Sequence, residues 1–226
     1  MEAAGLPAAL ELAAGGGAGL SPEKRAALGA SLPLLRRDYR FEAVWFWGCV
    51  QGVRGAYYIA QGLGTDRAAP RSRLYSLDCV EWSLLTPVTK EVEAQAEKLK
   101  GRFQGDPSFQ YEYAEVNAED AERLLEDGNV PVIKEEDRLI ATIDQIDRAV
   151  GIIPRGAFVK TPLGSVHENR NFEGSWTVQP EKGGAVVVLR SLLWPGLTFY
   201  HVPMTKQYGY VYFGTGEKNL DLPFML

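Results

Sequence analysis

Chemistry in a protein needs reactive side chains at workable spacings, and this 226-residue chain offers few candidates. There are two histidines, His167 and His201. A zinc site or a catalytic dyad would need partners at HxxxH, HxE or CxxC spacing, and neither histidine has them. Cys49 and Cys79 are also the only cysteines. With no CxxC spacing, they are expected as buried, reduced thiols rather than a disulfide. Glu135, Glu136 and Asp137 precede Asp144 and Asp147, which lie three apart on a helix face. Paired carboxylates could do acid–base work. Carboxylates in a first helical turn also favour the helix dipole, so a solvated polar face is the expected role. Gly214-Thr215-Gly216-Glu217-Lys218-Asn219 looks like a scrap of a phosphate loop. It lacks GxxxxGK[ST] spacing and opens no evident helix, so a tight turn is expected. No GxSxG elbow occurs. No catalytic, cofactor-binding or metal-binding residue is therefore assigned, and neither a metal nor a nucleotide is expected to copurify. The competing reading is a small-ligand binder or enzyme with an aromatic-lined cleft. It requires Arg190, Tyr200 and His201 to converge in a deep pocket.

Composition narrows the class. Hydrophobic residues make up 46% of the chain, enough to fill a core. No apolar run reaches membrane-spanning length. Met1-Glu2-Ala3 lacks the positive start of a secretory signal, so an intracellular setting is expected. The net charge of −5 argues against nucleic acid, which needs a basic stripe. The densest basic cluster, Arg36, Arg37 and Arg40, has Asp38 inside it and reads as a solvated segment beside a strand.

The elements follow from periodicity. Leu6, Leu10 and Ala13 at helical spacing predict a helix over 1–14, ended by Gly15-Gly16-Gly17. Ser21-Pro22-Glu23 starts a second helix, expected to run to Ser31 because Pro33 disfavours helix at Leu32. Phe41–Val50 and Ala56–Gln61 read as a hairpin turning at Gly52 and Gly55. The run Val44-Trp45-Phe46-Trp47 puts aromatics on both faces, so core is expected on one side and a partner on the other. Thr86-Pro87 opens a polar helix to Leu99, stopped by Gly101. Phe109–Val116 alternates as a strand, with Phe109, Tyr111 and Tyr113 on one face, and Asn117 caps an acidic helix ending at Gly128. Residues 136–150 carry a stripe of Leu139, Ile140, Ile143, Ile146 and Val150. Pro154-Arg155-Gly156 breaks the chain before a strand at Ala157–Lys160.

The C-terminal fifty residues are the most distinctive. Four strands are expected there, at Trp176–Gln179, Ala185–Arg190, Leu197–His201 and Tyr208–Phe213. Glu181-Lys182-Gly183-Gly184 turns the first pair. Trp194, before Pro195-Gly196, should anchor this sheet. Tyr208, Tyr210 and Tyr212 share one strand face, because strand side chains alternate. The chain holds five Trp, ten Tyr and nine Phe, the residue types that fill sheet cores and anchor interfaces. Leu222-Pro223-Phe224-Met225-Leu226 is apolar, which suggests docking on the chain's own body or on a neighbour.

LRSLLWPGLTFYHVP and YGYVYFGTGEKNLDLPFML, together with RRDYRFEAVWFWG, YYIAQGL, LYSLDCVEWSLL, KGRFQGDPS and IDQIDRAVGIIPRGAFVKTPLG, resemble the radial spoke head protein 9 family of the ciliary and flagellar axoneme. The resemblance runs from Ser21 to Leu226. One departure concerns Asn171-Phe172-Glu173-Gly174. In the family a longer charged insert follows it, whereas here Gly174 runs into Ser175-Trp176, so the chain reads as a shortened form. The resemblance implies a structural subunit of the radial spoke head, in the cytoskeleton of the cilium. It implies radial spoke head 4 and 6 type subunits as partners, which share the PRGAF-type string at Pro154–Phe158. It also implies a radial spoke head 1 type subunit and transient contact with central-pair projections. No nucleic-acid or membrane partner is implied.

The expected fold is α+β: mainly antiparallel sheet, a short helical N-terminus and a few surface helices. Residues 1–38 form an N-terminal helical segment with its glycine-rich joint, and residues 39–226 form the α+β domain.

Overall fold

Eight strands lie side by side in one sheet, and helices cover both of its faces. The computed structural model describes residues 1–13, 19–66, 69–112, 132–150, 158–168 and 176–221. Within these, the helices are α1 (Leu6–Ala13), α2 (Pro22–Asp38), α3 (Lys90–Ala96) and α4 (Glu135–Val150). The large sheet is built from β1 (Ala43–Gln51), β2 (Ala56–Leu63), β3 (Ser72–Ser76), β4 (Ser83–Leu84), β9 (Trp176–Glu181), β10 (Val186–Ser191), β11 (Leu197–His201) and β12 (Tyr208–Gly214). β5 (Gln110–Glu112) pairs with β6 (Val132–Lys134), and β7 (Phe158–Lys160) with β8 (Val166–Glu168), as two small ribbons.

The sheet order is β4-β3-β2-β1-β12-β11-β10-β9. Every pairing in it is antiparallel except one. β1 and β12 run parallel at the centre, with Gly48 opposite Tyr212. This seam joins an N-terminal meander to a C-terminal meander. It needs a glycine: Gly48 sits at φ +146°, and a Cβ there would stand 2.1 Å from the Tyr212 carbonyl oxygen. Neighbouring positions on β1 face opposite ways, so Phe46 and Trp47 turn their rings into opposite cores, and a bulge between Phe46 and Gly48 shifts the alternation so that Val50 joins Trp47. Residues 1 and 2 extend the same edge of β1. Phe46 donates its amide to the Met1 carbonyl at 2.8 Å, and Glu2 bridges Trp45.

One core lies under α1 and α2, where Leu6, Leu10, Leu28, Leu32, Phe46 and Val188 pack together. The other lies under α4, where Trp47, Ile59, Leu139, Ile143, Trp194 and Tyr212 meet. The second face of the Val44–Trp47 run is therefore covered by the chain's own α4, not left for a partner.

Three further expectations are corrected. α2 does not stop at Ser31; it continues through Pro33 to Asp38. Leu28, Leu32 and Leu35 are 0%, 0% and 5% exposed, and burying each is worth about 1.5–3 kcal/mol, together more than the roughly 3 kcal/mol a mid-helix proline costs. Pro33 itself lies on the exposed side. α3 begins at Lys90, not at Thr86-Pro87, because Thr89 accepts the Val92 amide as N-cap. It ends at Ala96, short of Leu99.

The four C-terminal strands lie where expected, and the Lys182–Gly184 turn joins the first pair. The Gly15–Gly17 joint, the Asn117–Gly128 helix, Pro154-Arg155-Gly156, the Gly174-Ser175 junction and the 222–226 tail lie outside the described residues. So does the expected strand beyond Glu112.

Candidate functional site

The expectation of a solvated carboxylate face on α4 is overturned. Most of these carboxylates turn inward, and they divide into two hydrogen-bonded clusters at either end of the Leu139–Ile146 stripe. Their spacing explains it. Ile140, Ile143, Asp144 and Asp147 lie three or four residues apart, which is one face of a helix. The apolar stripe and the carboxylates share that face.

At the N-terminal end, Glu135 is 0% exposed. Tyr57 and Tyr111 donate their hydroxyls to it, both at 2.6 Å. The amides of Gln104, Gly105 and Asp106 add bonds of 2.8, 2.7 and 3.2 Å. A carboxylate taken out of water needs this many donors to offset its lost hydration. The effect is to clamp the KGRFQGDPS loop onto the helix. Tyr75 donates to the neighbouring Glu136. Burial, with the carboxylate beside each ring as the next cause, pushes the hydroxyls of Tyr75 and Tyr111 up to about 12. Tyr57 is raised further, for the same reasons.

At the other end, Asp147 collects groups from neighbouring strands. Trp47 of β1 donates its indole N–H at 2.6 Å, Gln61 of β2 its amide at 2.7 Å, and Tyr210 of β12 its hydroxyl at 3.1 Å. Arg73 of β3 pairs with Asp144 and lies 3.9 Å from Asp147. Arg71 donates to Gln61 at 2.9 Å and stacks 4.6 Å over the Trp45 ring. Burial holds the Asp144 carboxyl above its ordinary range despite the Arg73 charge. Through Asp147 the helix is fastened across the β1–β12 seam.

These carboxylates are occupied by donors from the fold itself, so what they do is hold α4 in place. The residues of the ligand-binding reading do not converge. Arg190 donates to Gln179 and Glu181 across β9. Tyr200 points into the core under α1 and α2. His201, next in the strand, faces the other way, with its Nε2 3.1 Å from the Thr205 carbonyl. The 214–219 segment folds back on the sheet. Gly216 donates to the Tyr212 hydroxyl at 2.9 Å, and the Asn219 amide to the Leu193 carbonyl at 2.8 Å. It is the turn expected of it. Cys49 and Cys79 are buried and unpaired, and burial pushes both thiols up to about 12. Among the described residues, no group of three or more His, Cys, Asp or Glu could hold a metal ion, and no helix is long and apolar enough to cross a membrane.

The aromatic strand grades from core to surface. Tyr212 is buried, Tyr210 is half-buried on Asp147, and Tyr208 is 67% exposed beside Phe199, with ring centroids 6.3 Å apart. The β11–β12 connection carries Met204, fully exposed at its tip.

Helices held on both faces of a mainly antiparallel sheet, one of them through its carboxylates, define an α+β protein. No protein-family model matches the chain. Whole-chain relatives do. It is 50% identical over 276 aligned positions to the radial spoke head protein 9 homologs of Bos taurus and Homo sapiens, and 41% identical over 278 to that of Danio rerio. Each alignment covers all of this chain and all of the relative. The chain belongs to the radial spoke head protein 9 family.

Proposed function

We propose that this chain is a structural subunit of the axonemal radial spoke head, in cilia and flagella. It supports assembly of the spoke head and helps pass mechanical signals from the central pair to the dynein motors. Its neighbours are radial spoke head 4 and 6 type subunits and a radial spoke head 1 type subunit. The carrying observation is identity of 41–50% along the whole length of curated radial spoke head protein 9 homologs. The carboxylates committed to internal bonds support a non-enzymatic role, because none of these bonds leaves a base beside a nucleophile.

The deciding experiment is salt extraction of axonemes carrying the tagged chain. A spoke-head subunit stays with the axoneme and leaves only with the other spoke proteins; a free adaptor is released at once, and release would reject the reading. The alignments run over 276 positions against 226 residues here, so about fifty positions have no counterpart in this chain. We attribute that difference to an insert missing after Gly174, the reading the family resemblance supports.

A further inference from the structure

A cleft of about 480 Å³ lies between Ala96 at the end of α3 with the turn that follows it (residues 97–101), the Arg138, Thr142 and Gln145 side of α4, Trp194, and the segment after β12 that includes Glu217, Lys218 and Leu220. That volume suits a few residues of an extended peptide. The floor is built in advance. The Arg138 guanidinium lies 4.4 Å from the Phe103 ring and 4.9 Å from the Tyr111 ring, and donates to the Gly101 carbonyl. Glu135 holds the next residues of the same loop through the amides of 104–106. The cleft therefore needs little ordering before it binds.

Its chemistry is mixed. Lys98, Lys100 and Lys218 surround the mouth, against Glu97 and Glu217. Among the described residues, neither Lys100 nor Lys218 makes an ion pair. On a molecule of net charge −5, an excess of lysine at a concave site is a local reversal of sign. Leu99, Trp194 and Leu220 lie among these charges, and Leu220 is 63% exposed. Cations interleaved with apolar wall match a peptide carrying both kinds of group, rather than a small anion.

We propose that this cleft takes a short acidic segment of another protein, with carboxylates toward Lys100 and Lys218 and one apolar side chain against Leu99 and Leu220. The inference rests on the assembly reading, because a scaffold must seat a neighbour's chain. Peptide binding and axonemal retention are separate measurements, so either can fail alone.

The test uses the isotopically labelled full chain and nuclear magnetic resonance. The probes are the hexapeptide Glu-Glu-Leu-Phe-Glu-Glu, its Lys-for-Glu and Gln-for-Glu counterparts, and inorganic phosphate. The acidic peptide should shift the Gly101 and Gly216 amides and the Trp194 indole, and added salt should weaken it. The variant Lys100→Glu with Lys218→Glu changes only exposed side chains, and its own spectrum confirms the fold. It should bind the acidic peptide about tenfold more weakly or worse. The proposal is overturned if the acidic peptide shifts nothing in the cleft, if the Gln peptide does as well, or if the variant binds normally. Phosphate alone producing the same shifts would mean a simple anion site and would also overturn it. So would binding that appears only after residues 222–226 are removed, since the chain's own tail would then be the occupant.

Discussion

Glu135 accepts hydrogen bonds from two tyrosine hydroxyls and three consecutive backbone amides. Replacing it with Gln keeps the shape but swaps an acceptor for a donor, and at least one buried N–H or O–H then faces another donor. Glu135→Gln should cost about 2–4 kcal/mol, read as a lower urea midpoint with an unchanged slope. The tyrosines around these carboxylates give a second expectation. Tyr75 and Tyr111 are raised to about 12 in the fold, against about 10 in the unfolded chain. A raised folded value means the neutral hydroxyl is the favoured form in the native state. The stability it brings is complete below pH 10 and is lost as pH climbs from there toward 12. The ring carbon resonances of Tyr75 and Tyr111 and the tertiary circular dichroism should therefore change together in an alkaline titration. Ionisation of these two rings well before the fold is lost would contradict their burial.

At the scale of elements, α2 persists through Pro33 because its leucine face outweighs the missing backbone bond. Restoring that bond should help: Pro33→Ala is expected to raise stability by about 1–2 kcal/mol, the gain being reduced by the freer unfolded chain. A lower thermal midpoint would mean that the proline bend is needed to seat Leu35. The Trp194-Pro195-Gly196 turn makes the opposite case. Trp194 is 3% exposed, and Gly196 sits at φ +102° with the Phe213 carbonyl oxygen where a Cβ would go. Trp194→Ala should cost about 3–5 kcal/mol in equilibrium unfolding. Much of this was readable in the sequence. The Leu139–Ile146 stripe, the Leu197–His201 strand and the Ser21 cap follow from periodicity and capping chemistry. What was missed has physical causes. β3 and β4 have no clean alternation. The Thr86-Pro87 signal was outcompeted by Thr89. The carboxylates of α4 look solvent-facing in the sequence, because local pattern does not reveal which donors the sheet will bring opposite them. Only the shared spacing of Ile140, Ile143 and Asp147 hinted at it.

At the scale of the whole molecule, two meanders are closed into one sheet, and the junction proposed to lack an insert precedes an edge strand, β9. Long surface insertions cost little in loop entropy, so a form with the family's insert and this shorter one should share the core. Their thermal midpoints should agree within a few degrees. If the insert contributes contacts, the short form should be recovered less well with a radial spoke head 4 type subunit. Equal recovery would show that the insert contributes nothing to that contact.

The parallel seam has a consequence for how the protein is made. Gly48 on β1 must wait for Tyr212 on β12, which the ribosome adds far later. Until then the middle of the future sheet is an open edge, with Phe46 and Trp47 on its two sides. Such distant pairing slows folding, and an uncovered edge invites wrong partners. Newly synthesised chains should therefore depend on chaperones while the C-terminal strands are still in the exit tunnel. Interrupting synthesis before β12 should leave nothing that resists protease.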